Sequence, residues 1–278
     1  MSSTLSNQES IAVIGGGVMA TSLIAGLVRR GCASKSICVA EPDQSRRLAL
    51  HAQYGVQVFS DASAAIVGCQ TWVIAVKPNV VKTVCEDIRT RAKTRHALVI
   101  SIAAGITSHQ LQNWLGHSVS IVRAMPNTPA LLGAGITGVF APSGLAAALR
   151  ARADQLLASL GHVIWMTQED HMDAVTALSG SGPAYIFFAA QAMQRAARAH
   201  GLTREIADTL VVQTIAGAAQ MLLQTPYTAE QLRAQVTSPE GTTQAGLAVL
   251  EKGQVDSLLV QAIEAAYQRS KELSEEWN

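Results

Sequence analysis

Along the first two-thirds of the chain, short runs of β-branched and aliphatic residues alternate with longer stretches whose apolar positions recur every three or four residues. The short runs predict strands at Ile11–Ile14, Ser36–Ala40, Trp72–Val76, Ala97–Ile102, Val119–Arg123, Ile136–Phe140 and Val163–Met166. The longer stretches predict helices at Met19–Arg30, Gln44–Gln53, Val80–Arg91, Ser108–Leu115 and Leu145–Leu160. Such alternation implies an α/β fold built on a doubly wound parallel sheet. Beyond Asp170 the strand period disappears. Asp173–Gly201, Thr203–Gln224, Thr228–Val236, Gly241–Gly253 and Val255–Trp277 all read as helices. The pattern therefore predicts a sheet domain over 1–168 and an all-α domain over 169–278. Ile186-Phe-Phe-Ala-Ala and Leu210-Val-Val leave little polar surface on two of these helices. A helix apolar on every side must be buried, so an obligate homodimer through the helical domain is expected.

The first strand runs directly into Gly15-Gly16-Gly17-Val18-Met19-Ala20, and a helix follows at once. This is a G-x-G-x-x-A turn. Gly15 makes the tight bend, Gly17 lets a pyrophosphate approach the backbone, and Ala20 packs the helix on the strand. The amides at the helix start then point toward the phosphates. The second strand ends on Glu41, where a dinucleotide fold places its acidic residue. A carboxylate there accepts hydrogen bonds from the ribose of NADH and repels the extra phosphate of NADPH. Arg46 and Arg47 follow and can reach a phosphate, so NADPH or NADH remains open, with Glu41 leaning to NADH.

Other strand ends carry residues suited to the same ligand. Ala75-Val76-Lys77-Pro78 closes the third strand, and Pro78 bars Lys77 from a continuing helix. Ala103-Ala104-Gly105 follows the next strand with small residues on which a flat ring can lie. Arg123-Ala-Met-Pro-Asn-Thr-Pro129 follows the one after, stiffened by two prolines and offering the Asn127 amide. Ligands bind at the carboxyl edge of such sheets. The expected cofactor-binding set is completed by Ile14, Val18 and Met19 beside the glycine loop.

Composition narrows the partners. Net charge is +1, with 15% charged and 4% aromatic residues, which argues against nucleic acid. Ile11–Val28 and Ile206–Leu223 approach membrane length, but one carries three glycines and the other Asp208, Gln213 and Gln220. Both read as core elements of a soluble protein. Cys32, Cys38, Cys69 and Cys85 form no CxxC pair and read as reduced thiols of a cytoplasmic protein. Glu169-Asp-His-Met-Asp173 looks faintly like a metal cluster, but its acids are better read as capping the first helix of the second domain, and no metal is expected.

Two motifs lie in the helical half. Leu178-Ser-Gly-Ser-Gly-Pro-Ala-Tyr185 puts two glycines and a proline into a predicted helix, at a cost of about 5 kcal/mol relative to alanine. Ser238-Pro-Glu-Gly-Thr-Thr-Gln-Ala-Gly246 separates two helices, and the helix beginning at Gly241 offers free amides to a small anion.

Taken together, IGGGVMA, AVKP, the AAG turn, RAMPNTP, ALSGSGPAY and SPEGTT resemble the pyrroline-5-carboxylate reductases, from Ile11 to about Leu273. The resemblance implies a Rossmann domain followed by a helical dimerisation domain, with the active site between them. It implies reduction of 1-pyrroline-5-carboxylate to L-proline by NAD(P)H, the last step of proline biosynthesis. By the same resemblance Ser181, Ser238, Gly241, Thr242 and Thr243 hold the substrate, and the Thr243 hydroxyl meets the ring nitrogen as the catalytic contact. Two positions depart from the family. Glu240 stands where it usually carries Gly, and Ala62 where it often carries Asn. A β-hydroxyacid dehydrogenase would need a lysine on a helix of the second domain, and Asp173–Val236 contains none. A non-catalytic dinucleotide-binding protein should have lost Thr243 and the SGSGP segment, and both are present.

Overall fold

The structure is a computed structural model and describes residues 10–95 and 97–277. Among these, eight strands form one sheet: β1 (Ile11–Ile14), β2 (Ile37–Ala40), β3 (Gln57–Phe59), β4 (Thr71–Ile74), β5 (Leu98–Ser101), β6 (Ser120–Met125), β7 (Gly135–Phe140) and β8 (Gly161–Trp165). Their spatial order is β3-β2-β1-β4-β5-β6-β7-β8. The chain winds outward from β1 to β3 and then returns to lay β4 on the other side of β1. That reversal opens a crevice at the carboxyl ends of β1 and β4.

All neighbouring pairs are parallel except β6 and β7, which run antiparallel from Arg123↔Phe140 to Met125↔Gly138. The expected doubly wound parallel sheet thus carries one antiparallel step near its edge. The segment joining β6 to β7 holds only a 3-10 turn, Thr128–Leu132, and a parallel return needs a crossover of a dozen residues or more. β3 and the short helix α3 (Ala62–Ala65) were not anticipated. β3 has three residues at the sheet edge, none of them buried, so no apolar run marks it.

Helices cover both faces of the sheet. Along β1, Ile11 and Val13 face a core shared with Leu23, Ile24 and Leu27 of α1 (Val18–Arg29) and Leu156 and Leu157 of α6 (Ala147–Leu157). Ala12 and Ile14 face the opposite core, with Trp72 of β4, with Val81 and Ile88 of α4 (Pro78–Arg95) and with Leu111 of α5 (Ser108–Leu115). Both faces being buried explains why these strands read as continuous apolar runs. The remaining sheet-side helix, α2 (Gln44–Tyr54), is amphipathic and buries only Leu50.

The predicted helix Asp173–Gly201 is broken in two: α7 (His171–Val175), then a π-helical turn over Thr176–Gly180, then α8 (Gly182–Ala199). Ser181 N–H reaches Thr176 O at 2.9 Å, five residues back. Pro183 falls in the first turn of α8, where its missing N–H would have no helical partner anyway. The proline cost expected for a helix interior is thereby avoided. Four helices follow: α9 (Arg204–Gln224), α10 (Ala229–Gln235), α11 (Thr242–Lys252) and α12 (Val255–Glu276).

The chain forms two compact units, Gly182–Ala265 on one hand and everything up to Ser181 plus residues from Ala266 onward on the other. This division differs from a single boundary near Gln168, because the far end of α12 packs with the sheet. Ser270 Oγ donates to Asp173 Oδ1 at 2.6 Å, Gln110 Nε2 donates to Ser274 O at 3.0 Å, and Trp277 packs against the second core.

Candidate active site

The glycine loop shows why its residue types are needed. Gly15 has φ +106°, and a Cβ there would lie 2.7 Å from Ala75 O at the end of β4. Gly15 N–H donates to Ala40 O at 2.8 Å, which draws β1, β2 and β4 together at the reversal point. Gly17 faces open space. The first helical bond of α1 runs from Thr21 N to Gly17 O at 2.9 Å, so the amides of Val18, Met19 and Ala20 lie ahead of it and have no helical partner. A phosphate fits this geometry without steric objection.

Glu41 does something the sequence did not reveal. It is only 6% exposed. Its Oε2 accepts from Gly16 N–H at 2.8 Å and its Oε1 from Asp43 N–H at 3.0 Å. A Cβ on Gly16 would sit 2.9 Å from that Oε2. The carboxylate therefore braces the glycine loop as well as facing the cleft. Arg47 is committed locally, with Nη1 on Glu41 O and Pro42 O, both at 2.7 Å. Arg46 is exposed and lines the cleft. Asp43 caps α2, accepting from Ser45 Oγ at 2.5 Å and Arg46 N–H at 2.8 Å. Those bonds, the Ser45 one foremost, hold its carboxyl below the usual carboxylate range.

The cleft itself is about 490 Å3 and runs from the glycine loop past Glu41 to Ala75, Val76 and Lys77. Sequence reasoning missed Ser60, Asp61, Thr83 and Asp87, which also line it. Ser60 and Asp61 follow the unrecognised strand β3, which is why no motif flagged them. Ala62, the departure noted above, lies in the same wall.

Ala103, Ala104 and Gly105 form the turn from β5 to α5, and Gly105 has φ +73°. A Cβ there would meet Leu273 Cβ at 3.2 Å. Asn127 is buried, with its amide shared internally: Nδ2 donates to Ser179 O at 3.1 Å, and Oδ1 accepts from Ile136 N–H at 3.0 Å. It ties β6 and β7 to the π turn. Ser181 Oγ donates to Thr176 O at 3.3 Å. Glu169 was read as a cap for the first helix of the second domain. Instead its carboxylate takes the N–H and hydroxyl of Ser108, at the start of α5, and the Arg123 guanidinium. Among the described residues no group of three His, Cys, Asp or Glu side chains could hold a metal ion.

SPEGTT lies in the helical unit. Gly241 is the N-cap of α11 and its own N–H closes a turn onto Ser238 O at 3.1 Å. The first helical bond is Ala245 N to Gly241 O at 3.1 Å. The amides ahead of it are those of Thr242, Thr243 and Gln244, so Gly241 is replaced by Gln244 in the expected set of backbone donors. A Cβ on Gly241 would collide with Ser238 Oγ. Thr242, Thr243 and Ser238 are exposed in the single chain. Glu240 adopts φ +58°, the left-handed region that favours glycine, and its N–H donates to Gln244 Oε1 at 2.6 Å.

Strand order, reversal point and glycine loop together define a Rossmann-type dinucleotide-binding fold. Residues 10–105 match a family model described as NADP oxidoreductase coenzyme F420-dependent, and residues 169–273 match one described as pyrroline-5-carboxylate reductase dimerisation. The pyrroline-5-carboxylate reductase of Pseudomonas aeruginosa is 42% identical over 266 residues, covering 96% of this chain and 97% of that one. A solved pyrroline-5-carboxylate reductase from Coxiella burnetii superposes with a TM-score of 0.90 at 41% identity, covering 96% and 99%. The Plasmodium falciparum pyrroline carboxylate reductase with NADP bound superposes with a TM-score of 0.88 at 28% identity over the same shares. The chain belongs to the pyrroline-5-carboxylate reductase family.

Proposed function

We infer that the chain reduces the C=N bond of 1-pyrroline-5-carboxylate to give L-proline, with a nicotinamide cofactor as reductant. The observation that carries this reading is full-length kinship at 42% identity to a reductase of that name. The glycine loop is present, and the SPEGTT turn keeps Ser238, Gly241, Thr242 and Thr243. The cofactor supplies one hydride to the imine carbon, and the ring nitrogen ends with a proton.

The protein's share is binding and orientation. Gly15, Gly17 and the amides of Val18 and Met19 hold the pyrophosphate, Ile14, Gly16 and Glu41 flank the adenosine half, and Ala75–Pro78 with Ala103–Gly105 and Asn127 border the nicotinamide half. In the helical unit, Ser238, the Gly241 N-cap and the amides of Thr242, Thr243 and Gln244 form the carboxylate cradle, with the dipole of α11 favouring the anion. Ser181 contacts the substrate, and the Thr243 hydroxyl donates to the nitrogen as it gains electron density. No other acid is needed when the imine arrives protonated. Racemic pyrroline-5-carboxylate with NADH and NADPH in parallel tests the reading. Oxidation of neither would overturn it.

NADH is the favoured cofactor. Glu41 already accepts two amides, and each oxygen keeps a lone pair for a ribose hydroxyl. The 2′-phosphate of NADPH would face this carboxylate. At an effective dielectric of about 20, unit charges about 4 Å apart repel by about 4 kcal/mol, and Arg46 offsets part of this. A modest NADH preference in kcat/KM is expected. Glu41→Ser shifts the ratio toward NADPH, and also weakens both cofactors because Gly16 N–H loses its acceptor. A parent enzyme that strongly prefers NADPH would assign the choice to Arg46 instead. Four free cysteines, three of them buried, fit a cytoplasmic enzyme.

A further inference from the structure

We propose that Glu169 is a positioning residue for hydride transfer, one that sets the turn after β5 and the end of β6 against each other. Three donors from two distant segments converge on its carboxylate. Oε1 takes Ser108 N–H at 2.6 Å and Arg123 Nη1 at 2.6 Å, and Oε2 takes Ser108 Oγ at 2.5 Å. The Arg123 side chain is 9% exposed and that of Glu169 26%, so the pair is largely withdrawn from water. Charge-assisted bonds of this length are stiff as well as strong.

The value of that stiffness lies in where the partners sit. Ser108 opens α5 immediately after Ala103–Thr107. Arg123 lies two residues before Met125, which leads into Pro126 and Asn127. Glu169 itself leads into α7 and the π turn, whose Ser179 O is held by Asn127. A Cβ on Gly180 of that turn would stand 2.7 Å from Met125 Cε, so turn and strand end already touch. Glu169 and Asn127 thus both tie β6 to the α7–π run, Glu169 adding the start of α5 and Asn127 adding β7. A placement error of about 1 Å at a reacting pair can cost on the order of 10²-fold in rate. A bracing carboxylate is therefore worth its partial burial even though it touches neither cofactor nor substrate.

The inference rests on the reading that these strand ends border the nicotinamide. Stoichiometric NADH binding by the parent, followed by fluorescence titration, tests that reading alone. The positioning role is tested in the full chain by single-turnover oxidation of bound NADH at saturating pyrroline-5-carboxylate, with the rate expressed per bound cofactor. Glu169→Gln is expected to lower that rate about tenfold while the dinucleotide Kd changes less than threefold. Ser108→Ala, which removes only the hydroxyl, is the milder variant should Glu169→Gln fold poorly, and is expected to lower it about threefold. Combining the two should cost little more than Glu169→Gln alone. A purely structural role would reduce the folded fraction and leave the rate per bound cofactor at the parent value in both variants. That result would overturn the proposal.

Discussion

The two units of the chain solve the burial problem in opposite ways. In the sheet unit, Leu23, Ile24, Ile74, Ile88, Leu98 and Ile100 are all under 2% exposed, and helices cover both faces. In Gly182–Ala265 the buried residues are Ala207, Val211 and Leu232, while Phe187 is 61%, Phe188 71% and Leu223 83% exposed. α9 has the length and apolar content of a membrane span, and within the single chain only 11% of its most apolar window is buried. The helical unit lies within the region matched by the dimerisation model. One unit closes its own core, and the other leaves its core to be completed by a second copy of the chain.

The largest expected effect breaks that completion. Phe188→Asp puts a charge where an apolar face must be covered, and the protein should fall from dimer to monomer, or aggregate, in light scattering at micromolar concentration. A persisting soluble dimer would place the interface elsewhere. The reverse test is Ile100→Ala in the sheet core. Removing so buried a side chain should cost about 2–5 kcal/mol in urea unfolding without changing the oligomeric state. Next comes Thr243→Ala, expected to lower kcat by about 10²-fold, the scale for one preorganised donor, with the unfolding midpoint nearly unmoved. Near-parental turnover would pass the role to Ser181 or to water. The smallest effect sharpens the contrast at the backbone level. Glu240 holds a conformation that costs a side-chain-bearing residue about 1 kcal/mol or more. Glu240→Gly should raise stability by up to about 1 kcal/mol and lower KM for the anionic substrate. A loss of stability would mean the carboxylate has a partner in the assembled dimer.

The sheet unit was the more legible of the two. Seven strands and five helices were anticipated there, because buried parallel strands announce themselves as apolar runs and Gly15-x-Gly17 has a single good geometric use. What escaped notice was what lacks such a signal. β3 is too short and too exposed to show a period, and the cleft walls after it went with it. The antiparallel step to β7 depended on loop length, not on composition. Glu41 and Glu169 were recognised as acids at notable places. Their partners, Gly16, Ser108 and Arg123, are remote in sequence and became visible only in three dimensions. In the helical unit the elements were readable and the glycines of SGSGP were a true warning, but the π turn that absorbs them has no sequence period of its own.

The return of α12 to the sheet has a consequence for how the molecule is made. Leu273 beside Gly105, Ser274 beneath Gln110, and Trp277 against the second core all follow Gly182–Ala265 in the chain and leave the ribosome after it. The Ala103–Gln110 corner of the first unit therefore stays uncovered until the last residues leave the ribosome, after α8 with its exposed Phe187 and Phe188 has already done so. The sheet unit begins the chain, yet it is the later of the two to have all its residues available for folding.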